Sequence, residues 1–309
     1  MSRLDEQARG IYPISATPFT DQGSIDWESA NRLTEFYLGC GVHGLTLLGM
    51  MGEAQKLSLE EAASFATRVI RRVAGRVPVV VGVSAGGLAP MAELTARVLD
   101  AGGAAVLVAP PTGLRTDDQI FNYYCGVVEA LGPDVPVIYQ DYPPTTNVFL
   151  SSTLFLRMVR EFPSMVMLKL EDCPGLDKLT RIRADSSRER LRRVSVLIGN
   201  GGLYFPQFLK RGADGAMTGF AYPDMLVRVY ERFAAGDPEG AEDLFDMYLP
   251  LMVYEQQPGY GLAVRKEILR RRGALRCAAT RAPGPRLQPE DAAEMDALIR
   301  RIERRPGGY

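Results

Sequence analysis

Histidine is almost missing from this chain: His43 is the single one among 309 residues. That scarcity rules out His-rich zinc sites, Ser-His-Asp triads and Cys-His dyads. His43 itself, between Val42 and Gly44 at a helix exit, reads as structural. Cysteine is scarce as well. Cys40, Cys125, Cys173 and Cys277 lie far apart, with no C-x-x-C pair and no metal-ligand spacing, so they read as free thiols in a reducing cytoplasm. Charge of one sign is also lacking. Lys+Arg 36 against Asp+Glu 37 gives a formal net charge of -1, without the positive field that attracts phosphate, so nucleic acid is not an expected partner. No stretch approaches the roughly 18 uncharged apolar residues of a membrane span, and the N-terminus lacks the apolar segment of a secretory signal. A soluble, cytoplasmic chain with no membrane partner is expected. Lysine is the rarest charged residue, five against 31 arginines. Arginine cannot be deprotonated in a protein, so an amine nucleophile must come from Lys56, Lys169, Lys178, Lys210, Lys266 or the N-terminus.

What is present is a rhythm. Hydrophobic residues make up 46% and charged residues 24%, enough for a full core and its cover. Short β-branched runs alternate with longer amphipathic segments, the βαβα pattern of a parallel sheet covered by helices. Strands are predicted at Ile11–Ala16, Leu45–Leu48, Val79–Val83, Ala105–Val108, Val137–Gln140, Met165–Leu168, Val194–Ile198 and Gly215–Thr218. Helices are predicted around Trp27–Leu38, Leu59–Val73, Met91–Asp100, Asp117–Leu131, Ser152–Arg160, Leu176–Ala184 and Leu203–Lys210. The pattern fits an α/β fold of the (β/α)8 TIM barrel kind. The barrel is expected over residues 1–235, with residues 236–309 as a helical extension packed on it in one structural domain. A doubly wound sheet fits less well, because Gly82–Gly87 and Gly199–Gly202 both lack the G-x-G-x-x-G spacing and no phosphate loop is present. The arginine cluster Arg270–Arg272 reads as ion-paired or solvated helix faces.

In such a barrel the reactive groups stand at the C-terminal ends of the strands. Lys169 meets that condition, ending the apolar run Met165–Leu168. Strand alternation puts Met165, Met167 and Lys169 on one face. Facing the barrel interior, the amine would be held partly in its neutral form, which attacks carbonyls to form a Schiff base. Facing outward, it would reach past the helices to solvent. Periodicity alone leaves both placements open.

A wider set of residues resembles the dihydrodipicolinate synthase/N-acetylneuraminate lyase family. It comprises Ser15–Phe19, Gly41–Leu45, Gly52-Glu53 followed by Leu57–Glu61, Lys169 ending strand 6, Gly199-Asn200 after strand 7, and Lys266 in a Lys-x-x-Leu-x-x-x-Gly pattern. Together they span nearly the whole chain in the family's order. The resemblance implies a (β/α)8 barrel with a C-terminal helical extension, Lys169 as the Schiff-base lysine and a small 2-keto acid such as pyruvate as substrate; one histidine, scattered cysteines and no phosphate loop leave no evident ligand set, so no metal and no cofactor are expected. It also implies a homo-oligomer, a tetramer or dimer.

The same comparison exposes departures. Where the family reads Gly-Thr-Thr-Gly-Glu, this chain has Gly49-Met50-Met51-Gly52-Glu53, without the two hydroxyls that hold the keto-acid carboxylate and pass a proton. Backbone amides of such a turn can still grip a carboxylate, while Met50 and Met51 can equally well just pack. Gln140 stands where the family has its relay tyrosine, and Tyr139, one residue off, is expected to look away from Lys169. Pro110-Pro111-Thr112 replaces a run that supplies a second tyrosine, and Thr145 replaces an arginine for a second substrate. Gln140–Pro143 instead resembles family members that dehydrate 2-keto-3-deoxy sugar acids.

The expected activity is therefore a Schiff-base lyase, a dehydratase of a 2-keto-3-deoxy sugar acid or a related enzyme. An aldolase cleaving a 4-hydroxy-2-keto acid and a non-catalytic keto-acid binder are the alternatives. Lys169, Gln140 and Tyr142 are the expected catalytic residues, with Thr17 and Glu53 as further candidates for the acid. Gly49, Met50, Met51, Gly52, Thr17, Gly199 and Met217 are expected to bind substrate.

Overall fold

The computed structural model describes residues 3–305. Eight short strands form one parallel sheet: β1 (Gly10–Ile11), β2 (Leu45–Leu47), β3 (Val79–Gly82), β4 (Ala105–Val108), β5 (Val137–Asp141), β6 (Met165–Leu170), β7 (Ser195–Ile198) and β8 (Gly215–Ala216). Neighbours in sequence pair from β2 to β8, and β8 pairs with β1. The parallel bridge Ile14–Thr46, with Ser15 N donating to Thr46 O and Thr46 N to Pro13 O at 2.8 Å each, joins β1 to β2. The sheet thus curls into the expected (β/α)8 barrel.

Nine helices surround or link the strands: α1 (Trp27–Gly39), α2 (Leu59–Val73), α3 (Leu88–Asp100), α4 (Asp117–Leu131), α5 (Pro143–Thr146), α6 (Ser152–Glu161), α7 (Gly175–Arg188), α8 (Phe205–Lys210) and α9 (Pro223–Ala234). Their starts are chemically set. Asp26 accepts from the amides of Glu28 and Ser29 at the head of α1, and Ser58 with Glu61 and Thr116 with Gln119 form reciprocal capping boxes on α2 and α4. Three further helices, α10 (Pro238–Glu255), α11 (Gly261–Arg271) and α12 (Pro289–Glu303), follow, with α10 packed on α8 and α9. There the arginine cluster is ion-paired: Arg270 and Arg271 share Glu267, and Arg272 grips Asp224 in a two-pronged contact.

Several boundaries differ from the sequence expectation for local reasons. The ladder of β1 ends at Ile11, but the amides of Tyr12 and Ile14 still donate to Ala216 O at 2.8 Å and Thr218 O at 2.9 Å and carry the chain along β8. Helix α3 begins at Leu88 and not at Met91, since Pro90 falls in the first turn, where no amide bond is lost. The helix expected from Leu203 starts two residues later, at Phe205, because Tyr204 takes a left-handed φ of 62°. The face assigned to Met165 is also corrected. Val137 pairs with Met165 but Ile138 pairs with Met167, so a bulge turns Met165 into the outer core while Met167 and Lys169 stay inside.

Two apolar layers result. The larger lies between strands and helices, and the smaller fills the barrel with Val80, Leu107, Ile138, Met167, Leu197 and Met217. That plug closes the barrel below Lys169 and leaves the polar groups at its C-terminal mouth. No helix among the described residues is long and apolar enough to cross a membrane, and all four cysteines are unbonded.

Candidate active site

At the C-terminal mouth lies a cavity of about 260 Å³. Residues following five different strands line it: Ile14 after β1, Met50 and Met51 after β2, Tyr142 after β5, Asn200 and Gly201 after β7, and Thr218 and Gly219 after β8. Lys169, in the last turn of the β6 ladder, and Glu171, just past it, complete the floor. The roof comes from the turn between α10 and α11, with Glu255, Gln256, Leu262 and Arg265. This is where a barrel gathers its reactive side chains.

Lys169 faces inward, its side chain 1% exposed, and Nζ lies 2.8 Å from Glu171 Oε2. The same oxygen accepts from Gln140 Nε2 at 3.0 Å, and Gln140 is the ladder partner of Lys169 across β5 and β6. One carboxylate therefore joins the amine and the amide. Glu171 is anchored from behind, because Asn200 Nδ2 donates to its backbone oxygen at 2.8 Å. Asn200 holds a left-handed φ of 50°, which asparagine tolerates better than most residues. Gly199 provides the room: a Cβ there would sit 2.3 Å from Glu171 Cγ and 2.4 Å from Oε1.

The loop after β2 forms one tight turn at Met50–Gly52, with Gly49 at its head. Both methionine side chains reach the cavity, while Gly49 and Gly52 do not line it. Thr17 is buried behind the loop, its hydroxyl donating to Gly52 O at 2.7 Å. Glu53 is corrected as a candidate acid. Lys266 Nζ lies 2.6 Å from Oε1, Lys56 Nζ 2.7 Å from Oε2, and Arg281 N 3.0 Å from Oε2. With both oxygens bonded in this ionic knot, Glu53 fastens the loop to α11 and does not reach the cavity. Met217 lies in the apolar plug below.

Tyr142 lines the cavity, and burial together with the nearby Glu171 charge raises its phenol above the ordinary range. Tyr139 faces the outer core as the alternation requires, stacked on Tyr124 with ring centroids 4.7 Å apart. In the same lining, Arg265 Nε donates to Glu255 Oε1 at 2.8 Å, and Ala221 N donates to Glu255 Oε2 at 3.3 Å. Burial pushes the Glu255 carboxyl up to about 7, opposed by Arg265. Among the described residues no group of three or more His, Cys, Asp or Glu side chains is placed to hold a metal ion.

Of the residues expected from sequence, Lys169, Tyr142, Met50 and Met51 line the cavity and Gln140 is tied to it through Glu171. Thr17, Gly49, Gly52, Gly199 and Met217 stand behind its wall. Glu171 was missed, although it lies two residues beyond Lys169 and the strand period puts both on one face. Glu255 and Arg265 belong to helices that carry no motif and that the chain brings to the mouth only by folding.

The comparisons with known proteins agree with this architecture. Residues 7–302 match the Dihydrodipicolinate synthetase family. An L-2-keto-3-deoxyarabonate dehydratase from Azospirillum brasilense is 30% identical over 304 residues, covering 96% of this chain and 94% of that protein. A 4-hydroxy-tetrahydrodipicolinate synthase from Thermus thermophilus is 31% identical over 239 residues, 76% of this chain and 77% of the other. The crystal structure of a dihydrodipicolinate synthase from Rhodopseudomonas palustris superposes with a TM-score of 0.95 at 47% identity, covering 98% of this chain and all of that one.

Proposed function

The chain belongs to the dihydrodipicolinate synthetase family and is a lyase acting on keto acids, and from that premise we propose that it dehydrates a 2-keto-3-deoxy sugar acid through an imine on Lys169. The observation that carries this reading is the Lys169–Glu171–Gln140 cluster at the barrel mouth. A full-length likeness to a dehydratase of this substrate class supports it.

In the proposed cycle the Lys169 amine attacks the C2 carbonyl, water leaves, and a protonated imine forms. The imine withdraws electrons from C3, so a base can remove a C3 proton to give an enamine. Glu171, within hydrogen-bond reach of Lys169, is the assigned base. The enamine then expels the C4 hydroxyl, which departs as water with a proton returned by Glu171, and a second water hydrolyses the remaining conjugated imine, freeing the unsaturated 2-keto acid and the Lys169 amine. Gln140 cannot exchange a proton; it holds the Glu171 carboxylate in place. Tyr142 is assigned to the substrate's hydroxyl-bearing tail. The imine itself is the electron sink, so no metal or organic cofactor is required, and activity unchanged by EDTA is expected.

A cytoplasmic homo-oligomer, tetramer or dimer, completes the reading. Its test is borohydride reduction in the presence of pyruvate or a 2-keto-3-deoxy acid, followed by intact-mass measurement. Wild type gains the mass of the reduced adduct and Lys169→Ala gains none, with activity down by at least about 1000-fold. An adduct of equal yield in the variant overturns the assignment.

A further inference from the structure

We propose that Arg265 grips the C1 carboxylate of the keto acid, in place of the hydroxyl pair that positions 50 and 51 lack. The inference rests on the lyase reading above and names the group that binds the substrate's acid end. Arg265 lines the same cavity as Lys169. Its Nη1 lies 3.1 Å from Met51 Sδ, so the guanidinium is seated on the loop that carries the two methionines. A thioether is a weak acceptor and offers no donor, and Met50 and Met51 bring no hydrogen-bond donor from their side chains. The guanidinium that α11 lays against this loop supplies side-chain donors that the loop lacks.

The guanidinium is held for this task. Glu255, fully buried and fixed by the Ala221 amide, orients it through Nε, and the side chain is only 14% exposed. Next along the helix, Lys266 binds Glu53 at 2.6 Å and so fastens α11 to the far end of the same loop. Nη2 has no protein acceptor among the described residues, so a residue that lines the cavity keeps an unused donor. Of the two cationic side chains that line the cavity, Lys169 is the one assigned to the imine, which leaves Arg265 to meet the carboxylate. Planar guanidinium and carboxylate groups match in two-pronged geometry, which a lysine cannot reproduce.

The test is borohydride trapping on the full chain at graded concentrations of pyruvate and of acetone, which replaces the carboxylate by a methyl group. In Arg265→Met the pyruvate concentration for half-maximal adduct rises about 100-fold, and in Arg265→Lys about 10-fold, while acetone trapping stays at the wild-type concentration. Because Arg265→Met strands a buried Glu255, the Glu255→Gln/Arg265→Met double variant is measured beside it, with folding followed by circular dichroism; the same pyruvate-selective loss is expected. Pyruvate trapping within threefold of wild type overturns the assignment. So does equal loss on acetone, which means damage to the lysine, or loss confined to a longer 2-keto-3-deoxy acid, which means contact with the tail. A wild-type protein that traps no keto acid overturns the lyase reading and this inference with it.

Discussion

Glu171 Oε2 stands 2.8 Å from Lys169 Nζ on the inner face of β6 and its extension, and the same oxygen takes the Gln140 amide. The amine that would form the imine and the carboxylate that would move the proton are thus placed by two positions of one strand, whose period is two. Such placement is more rigid than a pairing across loops.

Glu171→Gln separates the two roles. The variant keeps Lys169, so borohydride trapping of pyruvate persists, while turnover of a 2-keto-3-deoxy acid falls by about 100- to 10,000-fold for want of a proton carrier. Loss of both together means that Glu171 serves only to hold the lysine.

Condensation of pyruvate with aspartate semialdehyde is expected to be at least about 1000-fold slower than the common enzyme median of about 10 turnovers per second. By the family resemblance, Gln140 stands in place of the relay tyrosine, Met50 and Met51 in place of the hydroxyls, and Thr145 in place of the arginine. If each lost contact costs about 2 kcal/mol, their sum of about 6 sets the upper limit, because members of one relay are not additive. A coupled assay with turnover near that median contradicts the argument.

Glu255 gives the stability a defined pH dependence. Unfolded, it titrates near 4.3; folded, burial pushes it up to about 7. Between these values the native chain holds a proton that the unfolded chain has released. Its contribution is complete below the unfolded value and is lost as pH rises through the folded one, by at most about 1.4 kcal/mol per pH unit. Thermal melts from about pH 4 to about pH 8 should show wild type losing ground to Glu255→Gln. A constant difference between them overturns the titration.

Gly199→Ala is expected to cost about 1–3 kcal/mol of stability through crowding of Glu171, with turnover reduced more than pyruvate trapping. A methyl tolerated with full activity would show that Glu171 has another place to stand.

The barrel is legible in the sequence because strand and helix periods alternate along most of the chain. Lys169 is legible because lysines are few and this one ends an apolar strand. The opposite facing of Gln140 and Tyr139 follows from the period of two, as does Glu171, which the same rule reaches. Met165 escapes the rule because a bulge shifts the count, and nothing in its composition announces one. Arg265 and Glu255 escape because they lie ten positions apart across a turn, and only the docking of α11 brings both to the mouth.

The space left by Gly199 ties two positions of the chain into a single unit of inheritance. A side chain at 199 evicts the carboxylate from 171, and a shorter residue at 171 removes the reason for glycine at 199. Among descendants of this protein the two sites should therefore drift together, and a Glu171 beside any residue other than glycine at 199 would mark a lineage in which β6 and β7 have moved apart.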